Sequence, residues 1–229
     1  MAFFIQRVVV EIACFHPDAA KMCAQWNVPR MELCANAMEG GTTPTVKDIV
    51  AVRNLYKGIL GVMIRPYGGS FVLSDEDWRE MHKEMNDRLN LGIDFFVFGG
   101  LTPDQRLAIE PCRSLVQRAH GVPCVLHRAF DEIEEMNQGL EDAIAAGFQR
   151  ILTGRGARSL EELSALYKTA KQRIEILPGG GIRAHNAPSY LSAGATQLHS
   201  AALSALSYTH DVPLPDEEEV RKLLALFSA

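Results

Sequence analysis

The sequence predicts an α/β fold of the TIM (β/α)8-barrel type, with parallel strands inside and helices outside. Eight short apolar, β-branched runs recur along the chain, and their starts lie 22 to 31 residues apart, which leaves room for one crossover helix each. A doubly wound open sheet is the alternative arrangement of such alternating elements. The predicted strands are 8–15, 30–36, 61–66, 92–99, 123–130, 150–153, 175–178 and 197–201.

Helix start signals stand between these strands. Thr43 before a proline predicts an N-cap, and Ser74 and Ser159 each precede acidic residues in the pattern of a capping box. Asp216 after a proline opens a last helix, whose apolar residues recur at helical spacing. No linker or low-complexity segment interrupts the pattern. We therefore expect one domain over residues 1–229.

Composition excludes several functional classes. The 229 residues carry 23 basic and 28 acidic side chains, a net charge of −5, so a nucleic-acid partner is not expected. No apolar run is long enough for a membrane span, and the N-terminus does not resemble a signal peptide. Five cysteines without a CxxC motif favour reduced thiols and a cytoplasmic location.

Polar residues within apolar strands are the candidate functional residues, because a barrel places its chemistry at the C-terminal ends of its strands. Glu11 shares a face with Ala13, and Glu32 shares one with Cys34. We expect Arg65 at the end of the third strand to be their partner, because buried charges must be paired. The end of the fifth strand places His127 and Asp131 on one face, and the eighth strand supplies His199 and Ser200.

Two interpretations of these charges remain open. They form a buried ion-pair network that satisfies only itself, or a site for acid–base catalysis or metal ligation. The candidate catalytic residues are Glu11, Glu32, His127, Asp131 and His199. The glutamates and histidines would also suit a harder divalent metal ion, whereas Cu(I) prefers thiolates and thioethers.

Glycine-rich segments indicate an anion site at the same end of the barrel. Gly179, Gly180 and Gly181 follow the seventh strand, where this fold usually binds phosphate. Glycines allow backbone N–H groups to approach a ligand closely. The other candidate anion-binding residues are Arg65, Arg128 and Ser200.

Two thiols are candidate Cu(I) ligands, since Cys14 and Cys34 lie on neighbouring predicted strands. Cys14 is one residue out of phase with Ala13, so its side chain should face the helices unless the strand has ended there. The alternative for both cysteines is a packing role as small buried residues.

Several segments resemble the CutC family of copper homeostasis proteins. They span most of the chain, from Glu11 to Ala201, and the most specific are Arg-Met-Glu-Leu-Cys at 30–34, Glu-Gly-Gly-Thr-Thr-Pro at 39–44, Met-Ile-Arg-Pro-Tyr-Gly-Gly at 63–69, Leu-His-Arg-Ala-Phe-Asp at 126–131, Ile-Leu-Thr-Gly at 151–154 and Pro-Gly-Gly-Gly-Ile at 178–182.

The resemblance implies a TIM-type barrel, a cytoplasmic location, a homo-oligomer (dimer or tetramer) and a role in copper tolerance with Cu(I) binding through cysteines. Cys34 matches one such position, whereas the other falls on Ala13. Residues 203–211 are short where relatives carry a longer loop. Two hypotheses follow: a copper homeostasis protein, or an enzyme acting on a small anionic or phosphorylated metabolite. A non-catalytic scaffold is a third.

Overall fold

The computed structural model describes residues 10–157, 159–204, 207 and 212–227. Strands and helices alternate along this part of the chain. The strands are β1 Val10–Cys14, β2 Arg30–Leu33, β3 Ile59–Met63, β4 Phe95–Phe98, β5 Cys124–Leu126, β6 Arg150–Thr153, β7 Glu175–Pro178 and β8 Leu198–Ser200. The helices are α1 Pro17–Gln25, α2 Val46–Leu55, α3 Asp75–Arg88, α4 Ile109–Arg118, α5 Met136–Ala146, α6 Leu160–Ala170, α7 Ala187–Ser192 and α8 Glu217–Ala225.

The eight strands form one parallel sheet in the order β7-β6-β5-β4-β3-β2-β1-β8. Because β7 and β8 also lie in contact, the sheet is a nearly closed barrel. This confirms the predicted fold class and excludes the doubly wound sheet, in which the strand order reverses. The register places Glu11 opposite Arg30 on β2 and His199 on β8. Residues that are far apart in the sequence therefore meet at β1.

Successive side chains along each strand point alternately into the barrel and towards the helices, which separates two apolar regions. Inward-facing residues fill the barrel with Cys34, Met63, Phe95, Val97, Val125, Leu152 and Leu177. The next residues along each strand, such as Ile12, Cys14 and Met31, pack against the helices instead. The barrel interior is thus a packed core.

Two local predictions are wrong. The fifth strand ends at Leu126, and Arg128–Glu132 forms a 3-10 helix with His127 as its N-cap, so His127 and Asp131 do not share a strand face. The N-cap of α2 is Thr45, whose Oγ1 accepts a hydrogen bond from Asp48 N at 3.1 Å. Thr43 instead accepts one from Arg65 N, because it bridges two loops.

Other local predictions are confirmed. Ser74 forms a reciprocal capping box at α3, and Ser159 and Asp216 cap α6 and α8. Residues 8 and 9 of the first predicted strand and most of the short segment 203–211 lie outside the described residues. Within the described part, no helix is both long and apolar enough to cross a membrane.

Candidate functional site

A cavity of about 220 Å³ opens at the C-terminal ends of the strands. We call it the mouth cavity. Nine of the predicted site residues line it: Glu32, Cys34, Arg65, His127, Arg128, Gly180, Gly181, His199 and Ser200. Four others do not: Glu11, Asp131, Gly179 and Cys14. The structure therefore brings most of the predicted site residues together at the C-terminal ends of the strands.

Glu11 lies beneath the mouth cavity and is paired with arginines from the barrel interior. Its Oε2 lies 2.6 Å from Arg30 Nε and 3.4 Å from Arg150 Nη1. Burial works to raise the pKa of Glu11, but Arg30 and the other basic neighbours outweigh it and hold the pKa at about 2. The sequence prediction of Arg65 as the partner of the glutamates is wrong, since Arg30 and Arg150 pair with Glu11, whereas Glu32 lies next to His199 and Cys34.

His199 connects this buried network to the mouth cavity. Its Nδ1 lies 2.7 Å from Glu11 Oε1 and 3.6 Å from Glu32 Oε2. Burial lowers the pKa of His199, but the hydrogen bond to Glu11 and the charge of Glu32 outweigh it, so the net pKa is raised. The pKa of Glu32 is raised by its burial and by the nearby Glu11 charge. One ligand atom from each of the three residues lies within 4.8 Å of the others, a spacing that could hold a metal ion.

The two candidate thiols point to opposite sides of the barrel wall. Cys34 lines the mouth cavity, and its Sγ donates to Glu32 Oε1 at 3.3 Å. Cys14 faces the helix layer, as its phase relative to Ala13 predicts, and its Sγ contacts Cys23 Sγ and Met31 Sδ. A Cu(I) site shared by Cys14 and Cys34 does not fit this geometry, because the strand backbone separates their side chains.

Arg65 is held by backbone carbonyls at the rim of the cavity. Its Nη1 donates to Glu39 O at 2.9 Å and to Gly41 O at 3.1 Å, and its Nη2 donates to Gly69 O at 2.9 Å. Its guanidinium carbon also lies 4.6 Å from the centroid of the Phe71 ring. This cation is therefore anchored between the loops that follow β2 and β3.

His127 presents a buried donor to the site. Its Nδ1 accepts from Ala129 N at 3.3 Å, which leaves the hydrogen on Nε2. Nε2 is buried, and no described residue accepts its hydrogen bond. Burial, together with the charge of Arg65, lowers the pKa of His127 to about 3, so the ring is neutral at physiological pH. A neutral N–H donor suits an oxygen atom of a ligand.

Asp131 acts behind the cavity rather than in it. Its carboxylate accepts from Thr153 Oγ1 at 2.6 Å and from Gly154 N at 2.9 Å, and it holds Arg128 Nε at 2.9 Å. A Cβ on Gly154 would lie 2.9 Å from Arg128 Nη2, so the guanidinium rests on this bare backbone. Asp131 is thus a positioning residue for Arg128.

The glycine segment after β7 divides into two parts. Gly179 N donates to Thr153 O at 2.8 Å and belongs to the strand ladder, so the prediction that it binds an anion is not supported by its geometry. Gly180 and Gly181 have φ values of +75° and +92°, and they line the mouth cavity. Ser200 Oγ donates its only hydrogen to Ile182 O at 2.6 Å.

Sequence reasoning missed several residues of the site. Arg30 and Arg150 begin their strands, and their charges gave no indication that they would meet inside the barrel. Arg183 and Phe71 line the cavity from loops. For Arg183 a signal was available, because only Ile182 separates it from the Gly-Gly-Gly segment.

Sequence comparisons match this chain to proteins of one family over most of its length. The sequence model of the CutC family matches residues 8–204. The copper homeostasis protein cutC homolog of Mus musculus is 36% identical over 202 residues, which cover 86% of this chain and 74% of the mouse protein. The family protein CutC of Porphyromonas gingivalis W83 is 39% identical over 204 residues, covering 86% of this chain and 80% of its own.

A solved structure agrees with the sequence matches. The crystal structure of CutC from Streptococcus agalactiae superimposes on this fold with a TM-score of 0.80 at 30% sequence identity. The superposition covers 85% of this chain and 98% of that protein. The similarity therefore extends to the barrel as a whole.

Proposed function

The chain belongs to the CutC family, and we propose that it acts in copper homeostasis by binding copper in the mouth cavity. The mouse and human relatives carry copper homeostasis in their names. The observation that carries the site is that Glu32 and His199 line the mouth cavity together, with Glu32 Oε2 3.6 Å from His199 Nδ1. Cys34 adds a thiol to this group.

The donor set fits copper better than a hard cation. Glu11 is already neutralised by Arg30 and Arg150, so it orients His199 rather than binding the ion. A carboxylate that fixes one nitrogen of a histidine is a common support for metal binding through the other nitrogen. Glu32, Cys34 and His199 then supply one oxygen, one sulfur and one nitrogen. Nitrogen and sulfur ligands favour copper over magnesium or calcium.

Copper titration of the reduced protein tests this proposal. We expect Glu32→Gln to weaken copper binding at the cavity by at least about tenfold, the lower end of what perturbing a metal site costs. Glu80→Gln, at a half-exposed glutamate on α3, is the matched control and should bind as the wild type does. Equal copper affinity in the wild type and in the Glu32→Gln and Cys34→Ser variants would overturn the proposal.

A small anion is a second candidate ligand of the same cavity, and it is favoured by the Nε2 donor of His127, whose hydrogen no side chain or backbone group of the described residues accepts. Arg128 and the left-handed Gly180 and Gly181 stand around the same opening. An enzyme acting on a small anionic or phosphorylated metabolite would use these groups to bind its substrate.

We also propose that the protein is located in the cytoplasm and assembles as a dimer or tetramer. Both proposals rest on the family resemblance.

Inorganic phosphate is the probe for this second candidate. We expect phosphate to raise the melting temperature of the wild type and to have less effect on Arg128→Gln. Arg79→Gln removes an exposed arginine on α3 and should leave the phosphate effect unchanged. The same melting temperature with and without phosphate, at concentrations up to the millimolar range, would count against an anion site.

A further inference from the structure

Three sulfur atoms meet in the layer between the barrel and α1. Cys14 Sγ lies 3.8 Å from Cys23 Sγ and 3.7 Å from Met31 Sδ. Each residue comes from a different element, β1, α1 and β2, and all three side chains are completely buried. We call Cys14, Cys23 and Met31 the sulfur triad. It lies on the outer face of the barrel wall, whereas the mouth cavity lies inside.

The two sulfur–sulfur separations at Cys14 are close to those of sulfurs that share one metal ion. A metal–thiolate bond is about 2.3 Å long. Two sulfurs bound to one ion at an angle between tetrahedral and trigonal are therefore about 3.8–4.0 Å apart. The Cys14–Cys23 separation of 3.8 Å lies at the lower end of this range and the Cys14–Met31 separation of 3.7 Å lies just below it, so a small side-chain shift suffices.

The chemistry of the triad selects the ion. Two thiols and one thioether form a soft donor set without oxygen or nitrogen, and such a set favours soft ions such as Cu(I) over magnesium, calcium or manganese. The neighbouring Tyr56 hydroxyl donates to Val28 O, so it does not compete for the thiols. The surroundings are apolar, which keeps water away from a bound Cu(I) ion.

We infer that the sulfur triad is a second copper site, which binds Cu(I) through Cys14, Cys23 and Met31. The choice of copper as the biological ion rests in part on the proposed function, but the site itself does not use the mouth cavity. Binding replaces the hydrogens of the two thiols, so each Cu(I) ion bound releases two protons to solvent. Helix α1 has only nine residues, and its local opening would admit the ion.

Anaerobic titration of the full-length reduced protein with Cu(I), against a chromogenic Cu(I) chelator, tests this inference. We expect Cys23→Ser and Met31→Leu each to weaken one class of Cu(I) binding by at least about tenfold. Leucine preserves the volume and apolar character of Met31, so this variant keeps the fold while it removes the sulfur. Cys112→Ser changes a buried cysteine on α4, outside the triad, and serves as the control.

The outcomes separate this site from the mouth cavity. Loss of Cu(I) in the triad variants but not in Cys34→Ser supports the sulfur triad even if the mouth cavity binds no copper. Wild-type Cu(I) affinity in both Cys23→Ser and Met31→Leu would overturn the inference and leave the proposed function standing. X-ray absorption of a one-equivalent Cu(I) complex of Cys34→Ser should show only sulfur neighbours, and oxygen or nitrogen neighbours would contradict it.

Discussion

His199 Nδ1 lies 2.7 Å from Glu11 Oε1, which joins the last strand of the barrel to the first. The same carboxylate receives Arg30 from β2 and Arg150 from β6. One glutamate therefore organises side chains from three other strands beneath the mouth cavity. Glu11 is thus held in a buried ion-pair network, while His199 and Glu32 line the mouth cavity.

Glu11→Gln should strongly destabilise the protein. The substitution leaves the buried Arg30 and Arg150 without their shared carboxylate, and breaking a buried ion pair costs about 3–5 kcal/mol. Guanidinium denaturation measures the free energy of unfolding. Glu110→Gln removes a glutamate whose ion pair with Arg113 lies on the surface, and it should cost less than about 1 kcal/mol. Similar losses for the two variants would contradict the central role of Glu11.

Acid should destabilise the metal-free protein through His127. The folded state keeps this ring neutral down to a pKa of about 3, whereas the unfolded chain takes up the proton near pH 6.5. The contribution of the neutral His127 ring to the free energy of unfolding is thus fully present above about pH 6.5 and is lost as the pH falls towards the folded-state pKa of about 3. Between pH 7.5 and 5.5 we expect His127 to account for a loss of about 1.4 kcal/mol in the free energy of unfolding.

Denaturation at both pH values checks this prediction with two matched variants. His127→Asn should remove the His127 contribution, because asparagine can still accept from Ala129 N but does not titrate. His120→Asn changes an exposed histidine in a left-handed conformation, which asparagine tolerates. An unchanged pH dependence in His127→Asn would show that the buried ring does not cause the effect.

Gly61→Ala should destabilise the barrel although alanine usually stabilises a strand relative to glycine. A Cβ on Gly61 would collide with the buried Phe95 ring. Overpacking of this kind costs about 1–3 kcal/mol. In a double-mutant cycle, Phe95→Leu should recover part of this loss, because the smaller side chain makes room for the new methyl group. Simple additivity of the two substitutions would exclude the steric explanation.

Asp131→Ala should cost about 1–3 kcal/mol, because the buried Thr153 hydroxyl and the Gly154 N–H lose their acceptor. Asp131→Asn should cost less, since its amide oxygen can still accept from one of these donors. Hydrogen exchange of the Gly154 amide is the direct measurement and should accelerate most in the alanine variant. Equal exchange in the wild type and in Asp131→Ala would refute this assignment.

The strand assignments show how far sequence patterns extend. Charged residues inside apolar runs pointed to Glu11 and Glu32, and their two-residue period correctly separated Cys34 in the cavity from Cys14 in the helix layer. The pattern failed after Leu126. There the apolar residues Ala129 and Phe130 continue the run, but the chain turns into a 3-10 helix capped by His127. Local hydrophobicity cannot distinguish these two conformations.

By itself, the sequence determined the barrel, the end at which its polar residues gather and the family resemblance, because strand period and strand-to-strand spacing are local properties. Only the tertiary structure decided which charges meet. Arg30 and Arg150 stand 120 positions apart in the sequence, and closure of the sheet brings both to Glu11. The sulfur triad arises in the same way from three separate elements. Such pairings depend on register and packing, which no local pattern encodes.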